Sequence, residues 1–200
     1  MEDRLKKQMD FIMEVDKLKR IKRQTYLSDG INKENDAEHS WHIALMTVLL
    51  SEYSNEEIDV LKVVKMLLIH DIVEIDAGDT YAYDAKGNET KRDREVLAAN
   101  RLFGLLPEEQ RDEYIDLWEE FEQRETNESK FAHVMDNLQP MMLNNFTDGK
   151  AWREHQVDKS QIYKRNEITG KGSKVLWEYA QGMIDENVKK GNVTDRSNEN

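Results

Sequence analysis

The sequence predicts an all-α protein with a single domain. Helical periodicity dominates its 200 residues, and only two prolines and nine glycines interrupt the pattern. A chain of this length fits one ordinary domain with a sizeable core. We find no internal repeat and no linker that would divide it. We therefore predict one domain over residues 1–191 and a polar, disordered tail over residues 192–200.

Composition and charge exclude several classes of function. The chain carries 29 basic and 41 acidic residues, a formal net charge of −12, which argues against binding to nucleic acid polymers or anionic membranes. Cysteine is absent, so no disulfide framework or thiolate zinc site is expected, and a reducing cytoplasm suits the chain. The N-terminus lacks an apolar signal segment, and no apolar run is long enough to span a bilayer.

The N-terminal part predicts two helices joined by a basic segment and a loop. The first helix should run from near Asp3 to near Arg20, with an apolar stripe. Basic residues up to Arg23 overlap its end, and we expect a loop over residues 28–35. The second helix should start near Asn35 or Asp36, either of which can cap it, and His39 falls in its first turn.

The third predicted helix, from near Glu56, carries the pattern on which the functional hypothesis depends. An apolar run ends in His70-Asp71, and Glu74 follows four residues after the histidine. Positions four apart share one face of a helix, so His70 and Glu74 should lie one turn apart. Burying these groups is costly unless a partner neutralises them. A divalent metal is one such partner, because imidazole and carboxylate are suitable ligands.

The second half of the chain predicts further helices over residues 89–103, from Pro107 onward, and over residues 127–146, 159–166 and 173–190. The irregular segment over residues 80–88 reads as a loop above a site or a simple connection. Asp136 should point inward from the helix over 127–146. Pro140 cannot donate a hydrogen bond to the carbonyl of Asp136, so we expect a kink beside that aspartate.

Three predicted helices thus supply candidate metal ligands, each of which also has a purely structural interpretation. Two imidazoles and two carboxylates would hold a divalent ion, with Glu74 or Asp79 placed to transfer a proton. However, a histidine on an apolar helix face is more often a hydrogen-bonded core residue than a ligand. Acidic residues such as Glu74 and Asp79, and basic ones such as Arg23, are usually solvated surface charges. The candidate ligands are His39, His70, Asp71 and Asp136.

The order of these motifs resembles the HD-domain metal-dependent phosphohydrolases. Ala37-Glu38-His39-Ser40 resembles the first-histidine segment of that family. His70-Asp71-Ile72-Val73-Glu74, followed by Gly78-Asp79, resembles the signature of its 5′-deoxynucleotidase branch. The segment from Lys130 to Pro140 is similar to the one that carries the family's last metal ligand. The resemblance extends over about residues 18–188.

The resemblance implies an HD-type helical bundle with one divalent metal ion per subunit, which would be Mn, Co, Zn, Fe, Ni or Mg. It implies that Glu74 and Asp79 are the catalytic carboxylates, that Arg23 binds the substrate phosphate, and that the protein forms a homodimer. Its metal ligands would be His39, His70, Asp71 and Asp136.

Some features depart from the family pattern. Gln24 stands where the 5′-deoxynucleotidase branch has an aromatic residue, and the segment over residues 80–88 lacks a proline often seen there. No histidine lies between Ile72 and Ala132, which argues against relatives that bind two or three metals. The chemistry is unaffected by these differences, but they bear on which nucleotide is used.

We therefore predict a cytoplasmic hydrolase that releases phosphate from a small phosphomonoester, most plausibly a deoxyribonucleoside or ribonucleoside 5′-monophosphate. Three alternatives stay open. The first is a pyrophosphohydrolase acting on a larger nucleotide. The second is a regulatory protein that binds metal and nucleotide with little turnover. The third is a helical interaction module whose histidines and aspartates form a metal-free polar core.

Overall fold

Helices dominate the fold, as the sequence predicts. A computed structural model describes residues 2–80 and 89–196, so most of the predicted loop over residues 80–88 lies outside the described residues. Short 3-10 segments follow three of the helices, over Asp16–Arg20, Ser51–Tyr53 and His70–Val73. The α-helices are α1 (Glu2–Val15), α2 (Asp36–Leu50), α3 (Val60–Ile69), α4 (Glu74–Ala77), α5 (Lys91–Phe103), α6 (Glu108–Gln123), α7 (Asn127–Phe146), α8 (Lys150–Glu154), α9 (Lys159–Arg165), α10 (Thr169–Gly172) and α11 (Lys174–Lys189).

Helix α7 runs through the centre of the molecule and packs against α2, α3, α6, α10 and α11. Its predicted apolar stripe is buried, and each such side chain contributes roughly 1.5–3 kcal/mol when fully removed from water. Pro140 lies within this helix, which continues to Phe146. Asp136 is therefore held on a rigid element surrounded by core side chains. The buried stripe consists of Phe131, Val134, Met135, Leu138 and Met141.

The helix that carries His39 is capped by Asn35, one of the two predicted caps, and the cap is a capping box that also involves Glu38. The Asn35 side chain accepts a hydrogen bond from the backbone N–H of Glu38, and the Glu38 carboxylate accepts one from the N–H of Asn35, both at 2.9 Å. These bonds satisfy two donors at the start of α2 that have no partner within the helix. His39, one residue further on, is thus fixed in a well-defined first turn.

A β-hairpin occupies the region where the sequence predicts basic residues and a loop. Strands β1 (Lys22–Tyr26) and β2 (Lys33–Asn35) pair antiparallel, with Lys22 opposite Asn35 and Tyr26 opposite Lys33. The strands are short and charged, so they lack the alternation of apolar and polar residues that predicts a strand. Arg23 lies on β1 and Glu34 on β2, which brings both beside the start of α2.

Several predicted boundaries shift. Helix α3 begins at Val60, later than predicted, because the side chain of Asp59 caps it by accepting from the N–H of Lys62 at 3.1 Å. It ends at Ile69, and a 3-10 segment separates it from α4. His70 and Glu74 therefore do not share one continuous α-helix, as the sequence analysis assumed.

The predicted disordered tail is wrong for its first residues. Asn192 and Val193 are buried, and Val193 is part of the hydrophobic core. Thr194 forms an isolated bridge with Asp158, and its carbonyl oxygen accepts from the N–H of Lys159 at 2.8 Å. One apolar side chain and these backbone bonds outweigh the polar composition of the segment. Residues 197–200 lie outside the described part of the chain.

None of the helices that the structure describes is both long enough and apolar enough to cross a bilayer.

Candidate metal centre

Three elements bring the predicted ligands together. His39 comes from the first turn of α2, His70 and Asp71 from the 3-10 segment after α3, and Asp136 from the middle of α7. Asp136 Oδ1 lies 3.1 Å from His39 Nε2 and 3.9 Å from His70 Nε2. One ligand atom from each of His39, His70 and Asp136 lies within 4.8 Å of the others, so these residues could hold a metal ion. Asp71 Oδ1 lies 3.0 Å from His70 Nε2.

The ring of His70 is oriented by its own helix. Its Nδ1 donates to the carbonyl oxygen of Leu67 at 2.9 Å, and a carbonyl can only accept, so Nδ1 carries the hydrogen. In the neutral ring, Nε2 then presents a lone pair. Among the described residues, this buried Nε2 has no hydrogen-bond partner, although the Asp71 carboxylate is close to it. A buried lone pair that faces carboxylate oxygens fits a divalent cation.

Asp71 also belongs to a second, purely acidic group with Asp36 and Glu74, whose oxygens lie within 4.8 Å of one another. Arg23 offsets part of this charge. Its Nη1 donates to Asp71 Oδ2 at 2.8 Å and to Asp36 Oδ1 at 3.2 Å. The Arg23 side chain is only 11% exposed, so its default interpretation as a solvated charge is wrong. Asp36 is predicted from the sequence only as a possible helix cap and not as a site residue. It nevertheless lies three residues before His39 and so on the same helix face.

The acidic group contains carboxyls with raised pKa values. Burial raises the pKa of Glu74 well above its usual value, and the charges of Asp71 and Asp36 raise it further. Burial and the charge of Asp71 raise the pKa of Asp36 to about 7, although Arg23 opposes this. Burial also raises the pKa of Asp79. The raised pKa of Glu74 favours its protonated form, the form from which a general acid reacts.

The carboxylates beside the histidines behave in the opposite way. Burial opposes ionisation of Asp136, but the hydrogen bond from His39 and the charge of His70 hold its pKa well below the usual value. The pKa of Asp71 is lowered despite burial, because His70 and Arg23 stabilise its charge. Burial and Arg23 lower the pKa of His39, yet hydrogen bonds to Asp136 and Glu34 raise it to about 9. In the absence of a metal, a proton on His39 compensates the charge of Asp136.

A cleft of about 1080 Å³, a volume that includes solvent at its mouth, is lined by His70, Asp71, Glu74, Asp79 and Asp136. His39 is fully buried and is not among the lining residues. Basic side chains line the cleft despite the negative net charge, and Arg165 Nη2 lies 4.0 Å from Asp136 Oδ2. Sequence analysis missed all of them except Arg23, because only the fold brings them to one cleft. The basic residues are Arg23, Lys91, Arg124 and Arg165.

Asp79 reaches the cleft because the chain turns sharply at Gly78. Gly78 ends α4 with φ 76° and ψ 148°, a conformation that residues with a Cβ atom rarely adopt. The Gly-Asp pair in the sequence therefore reflects a specific backbone requirement.

His133 contributes to packing around the site. Its Nε2 donates to the carbonyl oxygen of Phe121 at 2.9 Å, and its ring stacks on the Phe121 ring at 4.0 Å between centroids. Its Nδ1 lies 3.9 Å from Asp136 Oδ2. Burial, together with the charge of Arg124, lowers the pKa of His133 to about 3, so this ring is neutral.

Comparison with known proteins places this geometry in a family. The HD domain family profile matches residues 15–177, which is most of the chain. The chain belongs to the HD domain family. The resemblance predicted from the sequence is therefore confirmed, as is the all-α fold class.

Two solved structures resemble this fold. The chain is 50% identical to a predicted metal-dependent phosphohydrolase from Magnetospirillum magnetotacticum, with a TM-score of 0.92 and 96% of both chains covered. It is 27% identical to a conserved hypothetical protein from Pyrococcus furiosus, with a TM-score of 0.63 and coverage of 90% of this chain and 99% of the other.

Curated relatives carry names that indicate an activity. The chain is 30% identical over 136 residues to a 5′-deoxynucleotidase from Bos taurus, an alignment that covers 67% of this chain. It is 28% identical over 135 residues to a 5′-deoxynucleotidase from Homo sapiens. The chain spans just under two thirds of these relatives, at 64% and 65% of their lengths.

Proposed function

We propose that this HD domain protein is a metal-dependent phosphohydrolase that releases phosphate from a deoxyribonucleoside 5′-monophosphate. The observation that carries the proposal is the cluster of His39, His70 and Asp136, with Asp71 beside His70. Of these residues, His70, Asp71 and Asp136 line a cleft that also carries basic side chains. Membership of the HD domain family and the names of the curated relatives support the reaction class.

We propose that one divalent ion per subunit is held by these four side chains, with Mn, Co, Zn, Fe, Ni and Mg as candidates. Two imidazoles and two carboxylates suit such an ion, and the buried lone pair of His70 supports the assignment. When bound, a divalent ion acts as a Lewis acid toward phosphoryl oxygens. Asp71 and Asp136, whose pKa values are low, are already ionised for this task.

Arg23 is the proposed phosphate-binding residue. Its guanidinium lies next to Asp71, so a phosphate at the ligand cluster would also meet a planar, permanently charged group. Arg165, 4.0 Å from Asp136, is placed to reach the same phosphate. Both cations would offset the charge that develops on the phosphoryl oxygens as the new P–O bond forms.

Glu74 is the proposed general acid. A water oxygen forms a bond to phosphorus while the bond from phosphorus to the 5′-oxygen breaks. The proton held by Glu74 passes to the 5′-oxygen of the departing nucleoside. Asp79, which lines the cleft near Glu74, is the proposed second carboxylate: it orients the attacking water and accepts the proton that this water loses. Asp79 then releases that proton to solvent and Glu74 takes one up, which restores both carboxyls for the next turnover. The products are a nucleoside and inorganic phosphate.

Phosphate release from a panel of nucleoside monophosphates, with added Mn²⁺ or Co²⁺, tests this proposal. We expect Asp71→Ala to abolish phosphate release, because it removes a ligand and the partner of Arg23. Asp185→Ala is the matched control, since Asp185 pairs with Lys159 away from the cleft. Full phosphate release by Asp71→Ala contradicts the mechanism. Pyrophosphate release from a triphosphate instead favours the pyrophosphohydrolase alternative.

We also propose that the protein is a cytoplasmic homodimer. The absence of cysteine suits a reducing compartment. One face of α2 exposes apolar side chains, among them Trp41, Leu45 and Val48, which are 65%, 42% and 59% exposed. A second copy of the chain would cover such a face. Sedimentation velocity of the wild type and of Trp41→Glu tests the dimer, which Trp41→Glu should weaken.

A further inference from the structure

Buried polar side chains connect the hairpin to His39. Glu34 on β2, Gln139 on α7 and His39 are each at most 1% exposed. The Nε2 atom of Gln139 donates to Glu34 Oε1, and Gln139 Oε1 lies 3.1 Å from His39 Nδ1. Gln139 also lies three residues after Asp136 on the same helix face. None of these contacts involves His39 Nε2, which lies 3.1 Å from Asp136 Oδ1.

The donor and acceptor capacity of each group determines which atom donates in each of these hydrogen bonds. A carboxylate only accepts, so the Gln139 amide must turn its NH₂ group toward Glu34 and its oxygen toward His39. An amide oxygen also only accepts, so His39 Nδ1 must donate. His42 supports the same orientation, because its Nδ1 lies 3.2 Å from Gln139 Nε2 and can accept the second amide hydrogen.

We propose that Glu34 and Gln139 are positioning residues that hold the His39 ring with its Nε2 facing Asp136. The inference rests on the proposed place of His39 in the metal centre. With Nδ1 donating to Gln139, the proton between His39 Nε2 and Asp136 Oδ1, 3.1 Å apart, is the one that a bound cation would replace. Outer hydrogen bonds of this kind fix the tautomer of metal-ligating histidines and raise their basicity.

Glu34 also connects the two ends of the proposed site. Its Oε2 lies 3.5 Å from His39 Nδ1 and 3.7 Å from Arg23 Nε. One buried carboxylate thus faces both a proposed metal ligand and the proposed phosphate-binding arginine. Glu34 and Gln139 do not line the cleft, so they act on the site only through the residues that they contact.

Mn²⁺ affinity, measured by titration calorimetry without nucleotide, tests the proposal. Gln139→Met keeps the length of the side chain but removes its acceptor, and we expect Kd to rise about 10–100-fold. Glu34→Gln keeps the shape and lets the Gln139 amide flip, so a smaller rise is expected. Thr47→Val is the matched control. It removes a buried hydroxyl that donates to the Ile43 carbonyl on the same helix as His39, and should leave Kd unchanged.

Imidazole ¹⁵N spectra of the Zn²⁺-loaded protein give a second readout that a general loss of packing would not reproduce. We expect a slowly exchanging Nδ1–H on His39 in the wild type and in Thr47→Val, and its loss in Gln139→Met. If Gln139→Met does not fold, the isosteric Glu34→Gln carries the same test.

Wild-type Kd in both variants, or a His39 without a hydrogen on Nδ1, overturns the proposal. A wild type that binds Mn²⁺ but releases no phosphate contradicts the proposed function and leaves this inference standing. A wild type that binds no divalent ion overturns both.

Discussion

The Nδ1 atom of His70 lies 2.9 Å from the carbonyl oxygen of Leu67, near the end of α3. The last carbonyls of an α-helix lack partners within the helix, and His70 satisfies one of them. The same ring presents its other nitrogen to Asp136 and Asp71. The end of α3 and the candidate metal centre therefore share one side chain. We expect a bound ion to increase the free energy of unfolding of the whole domain.

Divalent metal should raise the melting temperature. A ligand at 100 times its Kd stabilises the folded state by about 2.7 kcal/mol, which corresponds to roughly 5–10 °C for a chain of this size. Differential scanning fluorimetry with Mn²⁺ and after chelation measures the shift. Asp136→Asn, which removes the carboxylate shared by both histidines, should abolish it. Equal shifts in wild type and Asp136→Asn would contradict the assigned ligand set.

Glu74→Gln should lower kcat by about 10²–10⁴-fold, the usual contribution of a general acid. Because burial raises the pKa of Glu74 and so favours its protonated form, a neutral amide should preserve the structure while removing the transferable proton. Glu95→Gln is the matched control, since Glu95 is also buried, lines the same cleft, and has a pKa raised by burial. Initial rates of phosphate release with both variants test this prediction. An unchanged kcat in Glu74→Gln would show that Glu74 is not the general acid.

Gly78→Ala should destabilise the protein by about 1–3 kcal/mol, because alanine is strained at φ 76° and ψ 148°. Within residues 2–80 and 89–196, no atom lies within 4 Å of the added methyl group, so the cost expected from these residues is one of backbone conformation. Gly182→Ala in α11 is the control. It too meets open space but has helical backbone, and should stabilise by up to about 1 kcal/mol. Urea denaturation compares the two, and equal effects would refute the strain argument.

Asn35→Ala should cost about 0.5–2 kcal/mol of stability and also weaken Mn²⁺ binding, because it removes the cap of the turn that holds His39. Thr126→Ala removes the corresponding cap of α7 and should cost a similar amount. Asp136 lies more than two turns inside α7, so Mn²⁺ affinity should not change in that variant. Denaturation measures the stability of both variants, and calorimetry measures their affinity for Mn²⁺. An equal change of Mn²⁺ affinity in the two variants would contradict the prediction.

The sequence predicts the helices best where two local signals agree. Helix α7 spans the predicted residues, because Thr126 caps it and its apolar stripe has helical spacing throughout. Helix α2 likewise begins where Asn35 predicts. The hairpin escaped prediction because β1 is charged and is held by its partner strand and by Arg23 contacts that are distant in sequence. The burial of Val193 escaped prediction for the same reason, because the core residues around it are distant in sequence.

The site divides along the same line. His39, His70, Asp71 and Asp136 stand in motifs whose order carries information, and the fold brings them together. Glu34 belongs to no motif, and Gln139 lies in the Lys130–Pro140 segment without a predicted role. The contact between them forms only when β2 and α7 meet. Lys91, Arg124 and Arg165 gather in the cleft for the same reason. The metal-binding roles of His39, His70, Asp71 and Asp136, and the catalytic roles of Glu74 and Asp79, stay predictions.

The β1–β2 hairpin has a consequence for protein engineering. Arg23 and Glu34 stand on its two strands, and both face groups that belong to helices. Transplanting α2, α7, and α3 with the 3-10 segment His70–Val73 into another helical scaffold would carry the ligand atoms across without the hairpin residues that orient them. A graft intended to reproduce the centre should therefore include residues 22–35 as an integral module.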